Sequence, residues 1–246
     1  MQRYFLSTPF LEDGTHQLTG EDYKHIVKVM RMQEGEGIIV VADGQSYETE
    51  IQMITDDAVH VLKIGEMLAS NELPIRVTIA NGLAKGDKHD LIVQKATELG
   101  VERIVLFKAA RSIVKWDDKK GHKKIERLQK IAHQAAEQCH RTVIPTVENP
   151  LTVKELIALG ATYDVCYYAD EEAAKQSERP RLQQHLSTLR AQDRVLVVFG
   201  PEGGIAREEA VLFQEAGFHP IALGPRILRT ETAPLYFLSA ISYVAE

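Results

Sequence analysis

From residue 75 to the end of the chain, short apolar segments alternate with segments of helical periodicity. The apolar segments are rich in Val and Ile, as buried strands are, and the others repeat apolar residues every three to four positions. This alternation predicts an α/β fold with a parallel sheet whose two faces are both covered by helices. The predicted strands are Arg76–Ala80, Arg103–Phe107, Tyr163–Tyr168, Arg194–Phe199 and His219–Leu223, and the predicted helices are Asp87–Leu99, His122–Cys139, Thr152–Leu159 and Ala233–Val244.

The N-terminal part has a different pattern, typical of a small β-domain. Its strand-like runs are separated by turn residues, among them the hairpin signal Asp43-Gly44, and one amphipathic helix is predicted over Gly20–Arg31. We therefore predict a small β-barrel over residues 1–70, a linker within Glu66–Pro74 and a second domain over residues 74–246. The predicted strands of the barrel are Arg3–Leu6, Gly37–Ala42, Ser46–Ile54 and Ala58–Ile64.

Two glycine-bearing loops follow the last two predicted strands. The first reads Gly200-Pro201-Glu202-Gly203-Gly204, and the second reads Leu223-Gly224-Pro225-Arg226-Ile227-Leu228-Arg229-Thr230-Glu231-Thr232-Ala233. Loops at the carboxyl ends of parallel strands are where open α/β sheets bind ligands, and glycine lets the backbone approach a ligand closely. Because the second loop also carries two arginines and a glutamate, we expect a cofactor site with substrate-handling groups attached.

Motifs and spacing exclude several other kinds of site. The chain has neither GxGxxG nor GxxxxGK[ST], which disfavours dinucleotide and nucleoside-triphosphate binding. Its nine histidines form no HExxH and no cluster with zinc spacing, so no metal is expected. Cys139 and Cys166 are predicted to be small buried apolar residues.

Charge leaves nucleic acid binding open. The net charge is −6, but residues 115–130 carry seven Lys or Arg against three acids, and phosphate binding depends on local patches. The alternative interpretation of that segment is a solvated helix face. No apolar run is long enough to span a membrane, no signal-peptide pattern begins the chain, and two unpaired thiols are typical of a reducing compartment, so we expect a cytoplasmic protein.

The last predicted helix, Ala233–Val244, is apolar nearly all round. Helices of this kind are buried on more than one side, and only two residues follow it. We therefore expect a homodimer that forms through this C-terminal helix. Burial wholly within one subunit is the alternative.

The two loops together resemble those of the RsmE family of ribosomal RNA methyltransferases. Three further blocks are similar to that family: Lys85-Gly86-Asp87-Lys88, Gln94-Lys95-Ala96-Thr97-Glu98-Leu99-Gly100, and Ala135-Ala136-Glu137-Gln138 with Arg141. The resemblance implies a SPOUT-class α/β domain with a trefoil knot and a small N-terminal PUA-like barrel that binds RNA. It also implies S-adenosylmethionine (SAM)-dependent methylation of N3 of a uridine in 16S ribosomal RNA of the small subunit, within the assembled subunit.

The resemblance places SAM against the backbone of the two loops and of the strand end near Ala169. Arg229 is the first candidate for holding a phosphate or a developing uracil oxyanion. Glu231 is either the base that removes the N3 proton or a carboxylate that supports Arg229. The candidate cofactor residues are Ala169, Val198, Phe199, Gly200, Pro201, Glu202, Gly203, Gly204, Leu223, Gly224, Ile227, Leu228, Arg229, Thr232 and Ala233.

The candidate RNA-binding residues are basic or amide side chains spread over both predicted domains. For Gln138 and Arg141 the alternative is that they form the polar end of a helix. The full set is Arg3, Lys24, Lys28, Arg31, Lys85, Lys88, Arg111, Gln138 and Arg141.

The chain departs from the family pattern at two positions. Ala206 stands where a serine usually caps the helix after the first loop, which predicts a loss of about 1 kcal/mol of stability. Ala110 replaces the usual acid before Arg111-Ser112, which leaves the orientation of Arg111 open. Two other functions are alternatives. A catalytically silent RNA-binding protein would not need Arg229 and Glu231 beside a cofactor pocket. An enzyme acting on a small nucleotide would need neither the basic segment 115–130 nor a separate N-terminal barrel.

Overall fold

The structure is a computed structural model that describes residues 1–170 and 182–245, with the backbone alone at 66–68 and 118–120. The chain forms two compact units. The first contains Met1–Glu72 and Ala136–Val143, and the second contains Leu73–Ala135 and Ile144–Glu246. The domain boundaries predicted from the sequence stay predictions, and residues 136–143 are a segment that they did not assign to the N-terminal part.

The first unit contains a curled five-stranded sheet, a half-barrel, where the sequence predicted a small barrel. Its strands are β1 (Arg3–Phe5), β2 (Thr15–Thr19), β3 (Gly37–Ala42), β4 (Gln45–Ile54) and β5 (Ala58–Leu68). They lie in the order β1-β3-β4-β5-β2, with β1 parallel to β3 and the other pairs antiparallel. Strand β5 extends into the predicted linker, and β2 was not predicted because only Leu18 of its five residues is buried.

The predicted hairpin at Asp43-Gly44 is confirmed. Both residues have positive φ, 51° and 72°, as a two-residue hairpin turn requires. The predicted helix begins as α1 (Gly20–Lys24) and continues as a π-helical turn over His25–Met30. It ends at Arg31, whose φ of 55° is left-handed, and it buries Ile26 in the core of the unit.

The second unit contains a six-stranded, wholly parallel sheet, as the sequence predicted. Its strands are β6 (Arg76–Gly82), β7 (Arg103–Phe107), β8 (Thr146–Leu151), β9 (Val165–Ala169), β10 (Arg194–Phe199) and β11 (His219–Ile221). They lie in the order β11-β9-β10-β6-β7-β8. Strand β8 was not predicted because its sequence is polar and contains Pro150, which an edge position tolerates.

Helices cover both faces of this sheet. They are α2 (Lys88–Glu98), α3 (Asp118–Gln138), α4 (Val153–Gly160), α5 (Leu182–Leu186), α6 (Arg207–Glu215) and α7 (Thr232–Ala245). Two apolar clusters fill the layers, one around Ile79, Val197 and Phe237 and the other around Val198, Phe213 and Phe218. The two-sided α/β architecture is therefore confirmed, while the trefoil knot stays a prediction.

The local signals that end or begin helices also act as predicted. Thr152 and Glu155 form the capping box of α4, with each side chain accepting the main-chain N–H of the other residue. Gly100 follows α2 with a φ of 86°. The C-terminal helix α7 buries Phe237, Leu238 and Ile241 against its own unit, but Tyr243 is 87% exposed.

Candidate functional site

A cavity of about 410 Å³ lies at the carboxyl ends of β9, β10 and β11. Its size is in the range of small-molecule sites, and its position is where open α/β sheets bind ligands. Both glycine-bearing loops form its walls. The lining residues are Lys88, Arg111, Tyr168, Ala169, Asp170, Phe199, Gly200, Pro201, Glu202, Gly204, Ile205, Ala210, Ile221, Leu223, Gly224, Arg226, Ile227, Leu228, Arg229, Thr230 and Ala233.

The first loop folds so tightly that it requires glycine at its start. A Cβ on Gly200 would lie 2.6 Å from the carbonyl carbon of Gly204, and a Cβ on Gly82 of β6 would lie 2.6 Å from Cδ of Pro201. Both distances are shorter than van der Waals contact, so a side chain at either position forces the loop to move. The loop is thus held against the end of the neighbouring strand by close backbone packing.

The second loop is bound to the first through Thr230. Its Oγ1 donates a hydrogen bond to the carbonyl of Gly200 over 2.9 Å. Arg229 is exposed at the cavity, and its carbonyl accepts the N–H groups of Thr232 and Ala233 at the start of α7. The backbone before α7 is therefore fixed while the guanidinium of Arg229 stays accessible to a ligand.

Lys88 lies between two carboxylates at the edge of the cavity. Its Nζ is 2.8 Å from Oε1 of Glu202 and 3.7 Å from Oε2 of Glu231, and the N–H of Lys85 donates to the same Glu202 oxygen. The hydrogen bond to Glu202 raises the pKa of Lys88. Burial acts to raise the pKa of Glu202, but the hydrogen bonds from Lys88 and Lys85 outweigh it and leave that pKa lowered, so Lys88 and Glu202 are both charged at neutral pH.

The orientation of Arg111, which the sequence left open, is set by the first loop. Its guanidinium donates a hydrogen bond to the carbonyl of Gly203 over 2.9 Å. Glu209 binds the preceding residue, because its Oε1 accepts the N–H of Ala110 over 2.7 Å. Its Oε2 accepts the N–H of Ala206, so Glu209 supplies one half of a capping box at a helix start where Ala206 has no side-chain oxygen to offer.

The structure brings most of the predicted cofactor residues together around the cavity. Val198, Gly203 and Thr232 are the exceptions among them. Val198 is fully buried in the apolar cluster beneath α6 because its side chain points to the opposite face of the sheet from Phe199. Gly203 contacts Arg111 instead, and Thr232 begins α7 outside the lining.

Glu231 lies beside the cavity rather than in its lining. Its side chain is 15% exposed, and its ion-pair partner among the described residues is Lys88, not the Arg229 that one interpretation of the sequence predicted. Lys88, which lines the cavity and binds Glu202, therefore lies between Glu231 and the cavity.

Sequence reasoning missed six residues of the lining. Asp170 follows β9 directly, and a charged residue at a strand end was the available signal for it. Thr230 lies within the second loop, but its contact with Gly200 is a tertiary one with no sequence signature. The missed residues are Tyr168, Asp170, Ile205, Ala210, Ile221 and Thr230.

The predicted RNA-binding residues divide by their exposure. Lys88 and Arg111 line the cavity, and the others except Arg3 and Arg141 are exposed on their own units. The exposed set is Lys24, Lys28, Arg31, Lys85 and Gln138. The side chains of Lys119 and Lys120, in the basic segment 115–130, lie outside what the structure describes.

Arg3 and Arg141 are buried, which corrects the expectation that they present a surface to RNA. Arg141 is 4% exposed, and its Nε donates to Glu72 over 2.9 Å. Glu72 also accepts the N–H groups of Thr142 and Val143. Arg3 is 8% exposed and donates to the carbonyl of Arg141 and to Ser46. Both arginines therefore fasten residues 136–143 within the first unit.

Two absences hold for the described part of the chain. No three or more His, Cys, Asp or Glu side chains are grouped so that they could hold a metal ion. Within residues 1–170 and 182–245 there is also no helix with the length and apolar character to cross a membrane.

Comparison with known proteins defines the class. Residues 71–242 match the family model of an RNA methyltransferase domain, and residues 18–64 match that of an RNA methyltransferase PUA domain. The chain is therefore an RNA methyltransferase with an N-terminal PUA domain.

Individual relatives narrow the class to one family. The chain is 47% identical to ribosomal RNA small subunit methyltransferase E of Bacillus subtilis over 100% of its own length and 98% of that protein. A Neisseria gonorrhoeae methyltransferase of that name, solved with SAM, superposes with a TM-score of 0.86 at 26% identity over 99% of this chain and 98% of that one. A Legionella pneumophila methyltransferase, also solved with SAM, gives 0.82 at 28% identity, covering 98% and 96%. The protein belongs to the RsmE family of ribosomal RNA small subunit methyltransferases.

Proposed function

We propose that this protein transfers the methyl group of SAM to N3 of a uridine in 16S ribosomal RNA of the small subunit. The observation that carries the proposal is the cavity formed by both glycine-bearing loops at three strand ends. The proposal is also supported by two similar methyltransferases whose structures were solved with SAM bound. We propose that it acts in the cytoplasm without a metal.

The lining of the cavity fits SAM chemically. Phe199, Leu223 and Leu228 offer apolar contact of the kind that an adenine ring requires. The backbone groups of the two loops offer hydrogen bonds, and the carboxylates of Asp170 and Glu202 suit a ligand that carries hydroxyl and cationic groups. When bound, SAM supplies an electrophilic methyl group.

We assign the handling of the RNA to the cationic side chains of the cavity. Lys88, Arg111, Arg226 and Arg229 line it, against the carboxylates of Asp170 and Glu202. Excess positive charge in a cleft attracts the phosphates of a polynucleotide. The exposed cations of the first unit, Lys24, Lys28 and Arg31, extend this role to the PUA domain.

In the proposed reaction, two residues act on the uracil ring. Methylation at N3 requires loss of the imide proton, and the resulting negative charge spreads to the ring oxygens. Arg229, exposed on a fixed backbone, stabilises that charge. Glu231 is the candidate base, and its Oε2 lies 3.7 Å from Nζ of Lys88 at the edge of the cavity. Positioning of N3 in line with the methyl group supplies much of the remaining rate.

We further propose that two copies of the chain pair through α7. The helix buries one face in its own unit and leaves Tyr236 and Tyr243 exposed, at 39% and 87%. Exposed aromatic side chains beside a buried apolar face are typical of a subunit interface. We propose that residues 1–70 form the domain that binds RNA and that residues 74–246 form the domain that transfers the methyl group. The trefoil knot would lie in this second domain.

Calorimetry and transfer of labelled methyl groups test the proposal together. The purified protein should bind SAM with a micromolar or lower Kd and should label small ribosomal subunits taken from a strain that lacks the enzyme. Large subunits are the substrate control and should stay unlabelled. SAM binding without labelling of small subunits contradicts the proposed substrate, and failure to bind SAM contradicts the proposed activity.

A further inference from the structure

Glu209 is a buried carboxylate whose two oxygens bind two distant pieces of backbone. Its residue exposure is 6%. Oε1 accepts the N–H of Ala110 over 2.7 Å across 99 residues of sequence, and Oε2 accepts the N–H of Ala206, the N-cap residue of α6, over 3.0 Å. A carboxylate is costly to bury unless such hydrogen bonds satisfy it. A helix cap alone uses only one of these two bonds.

Each of the two bound residues is next to a wall of the cavity. Ala110 immediately precedes Arg111, which lines the cavity and donates to the carbonyl of Gly203. Ala206 immediately follows Ile205, which also lines it. The packing between these walls is tight, since a Cβ on Gly203 would lie 3.0 Å from Cβ of Arg111. One buried side chain thus fixes both the arginine and the loop that orients it.

We propose that Glu209 is a positioning residue that sets Arg111 over the cavity for a phosphate of the RNA substrate. This inference rests on the proposed function. Glu209 does not itself reach the ligand; it holds the backbone from which Arg111 extends. The chain lacks an acid at position 110 and a capping side chain at position 206, and Glu209 supplies a carboxylate to both places.

Four variants separate positioning from a merely structural role. Glu209→Gln replaces one acceptor oxygen with an N–H₂ group, which would face the N–H of either Ala110 or Ala206 and could not accept it. Glu208→Gln is the matched control, because Glu208 is the exposed carboxylate next to it. Ala206→Ser in the Glu209→Gln background restores a helix cap without restoring the bond to Ala110. Arg111→Ala, alone and combined with Glu209→Gln, tests whether Glu209 acts through that arginine.

We expect Glu209→Gln to raise the KM for small subunits about fivefold to tenfold, with kcat changed less than twofold, and Glu208→Gln to change neither. Adding Ala206→Ser should restore the melting temperature but leave the KM raised. In the Arg111→Ala background, Glu209→Gln should raise the KM less than twofold further. Recovery of the KM together with the melting temperature, or an equal effect with and without Arg111, would overturn the proposal.

Hydrogen–deuterium exchange tests the same contact without turnover. Glu209→Gln should accelerate exchange in the peptide that contains Ala109–Ser112, and Glu208→Gln should not. Unchanged exchange there overturns the inference whatever the activity. If the wild-type protein transfers no methyl group to small subunits, the proposed function fails. Faster exchange in the Glu209→Gln variant would still support the contact on its own.

Discussion

The hydroxyl of Thr230 donates a hydrogen bond to the carbonyl of Gly200, 30 residues earlier in the chain. Thr230 itself is 6% exposed. It joins the two loops that form the cavity. The shape of the cavity therefore depends on a contact between loops as well as on the sheet beneath them.

Replacing Thr230 with valine keeps the shape of the side chain and removes this bond. We expect a loss of about 1 kcal/mol in the free energy of unfolding and about a fivefold weaker Kd for SAM, because the carbonyl of Gly200 loses its partner and the two loops lose a link between them. Thr162→Val is the control, since the Thr162 hydroxyl bonds a carbonyl on the surface at the end of α4. Equal SAM affinity in Thr230→Val and wild type would show that the loops do not need this bond.

Replacing Gly82 with alanine should displace the first loop, because the added methyl group would collide with Pro201. The added Cβ of Gly82→Ala would lie 2.6 Å from Cδ and 2.7 Å from N of Pro201. We expect a loss of about 1–3 kcal/mol in unfolding free energy and weaker SAM binding. Gly121→Ala is the matched control, because a Cβ at Gly121 meets no described atom of another element within 4 Å. Chemical denaturation and calorimetry measure both quantities, and a Gly82→Ala protein as stable as the control would contradict the close packing.

The stability of the protein should fall in mild acid because of His89. This residue is 3% exposed, and its Nε2 accepts the N–H of Ala84. Burial, with a smaller contribution from Lys124, lowers its pKa from 6.5 to about 4. Between these two pH values the unfolded chain binds a proton at His89 that the folded chain does not bind. The stability that the neutral His89 contributes is therefore fully present above pH 6.5 and is lost as the pH falls towards 4.

Denaturation at pH 7 and pH 4 measures this loss of stability, which should amount to about 3 kcal/mol. His89→Gln keeps an acceptor for Ala84 and removes the titration, so its stability should depend less on pH. His122→Gln, at an exposed position, should behave like the wild type. Parallel curves for all three proteins would refute the assignment.

Pairing through α7 should depend on its exposed aromatic side chains. Tyr243→Arg introduces a charge at a residue that is 87% exposed in the single chain. We expect it to raise the dimer Kd at least tenfold, since like charges would meet across a symmetric interface. Leu11→Arg, at an exposed residue of the first unit, is the control. Sedimentation equilibrium measures the dimer Kd of each protein, and a monomeric wild-type protein would contradict the proposed dimer.

The sequence predicted most of the fold because buried strands and amphipathic helices carry periodic signals. Val and Ile mark β6, β7 and β10, which are central and apolar. Two of the edge strands, β2 and β8, carried no such signal, since they are polar and partly exposed. The predicted barrel is a half-barrel for a related reason, because closure depends on pairing between strands distant in sequence.

The site was predictable where it is continuous in sequence and not where it is made by distant contacts. Both glycine-bearing loops were found from their own residues. The burial of Arg141 could not be predicted, because its partner Glu72 is 69 residues away in the sequence. A basic residue near the end of a helix is usually exposed to solvent. The same holds for the bond from Glu209 to Ala110, which no local pattern indicates.

The most direct test of the central claim is the identity of the methylated nucleoside. Small subunits from a strain lacking the enzyme are incubated with SAM and the protein, and their 16S ribosomal RNA is digested and analysed by mass spectrometry. The account predicts N3-methyluridine at one position with the wild type and with Arg190→Ala, an exposed arginine before the amino end of β10. It predicts at least a hundredfold less with Arg229→Ala, which should still bind SAM. A methyl group on any other atom or nucleoside, or full activity in Arg229→Ala, would contradict it.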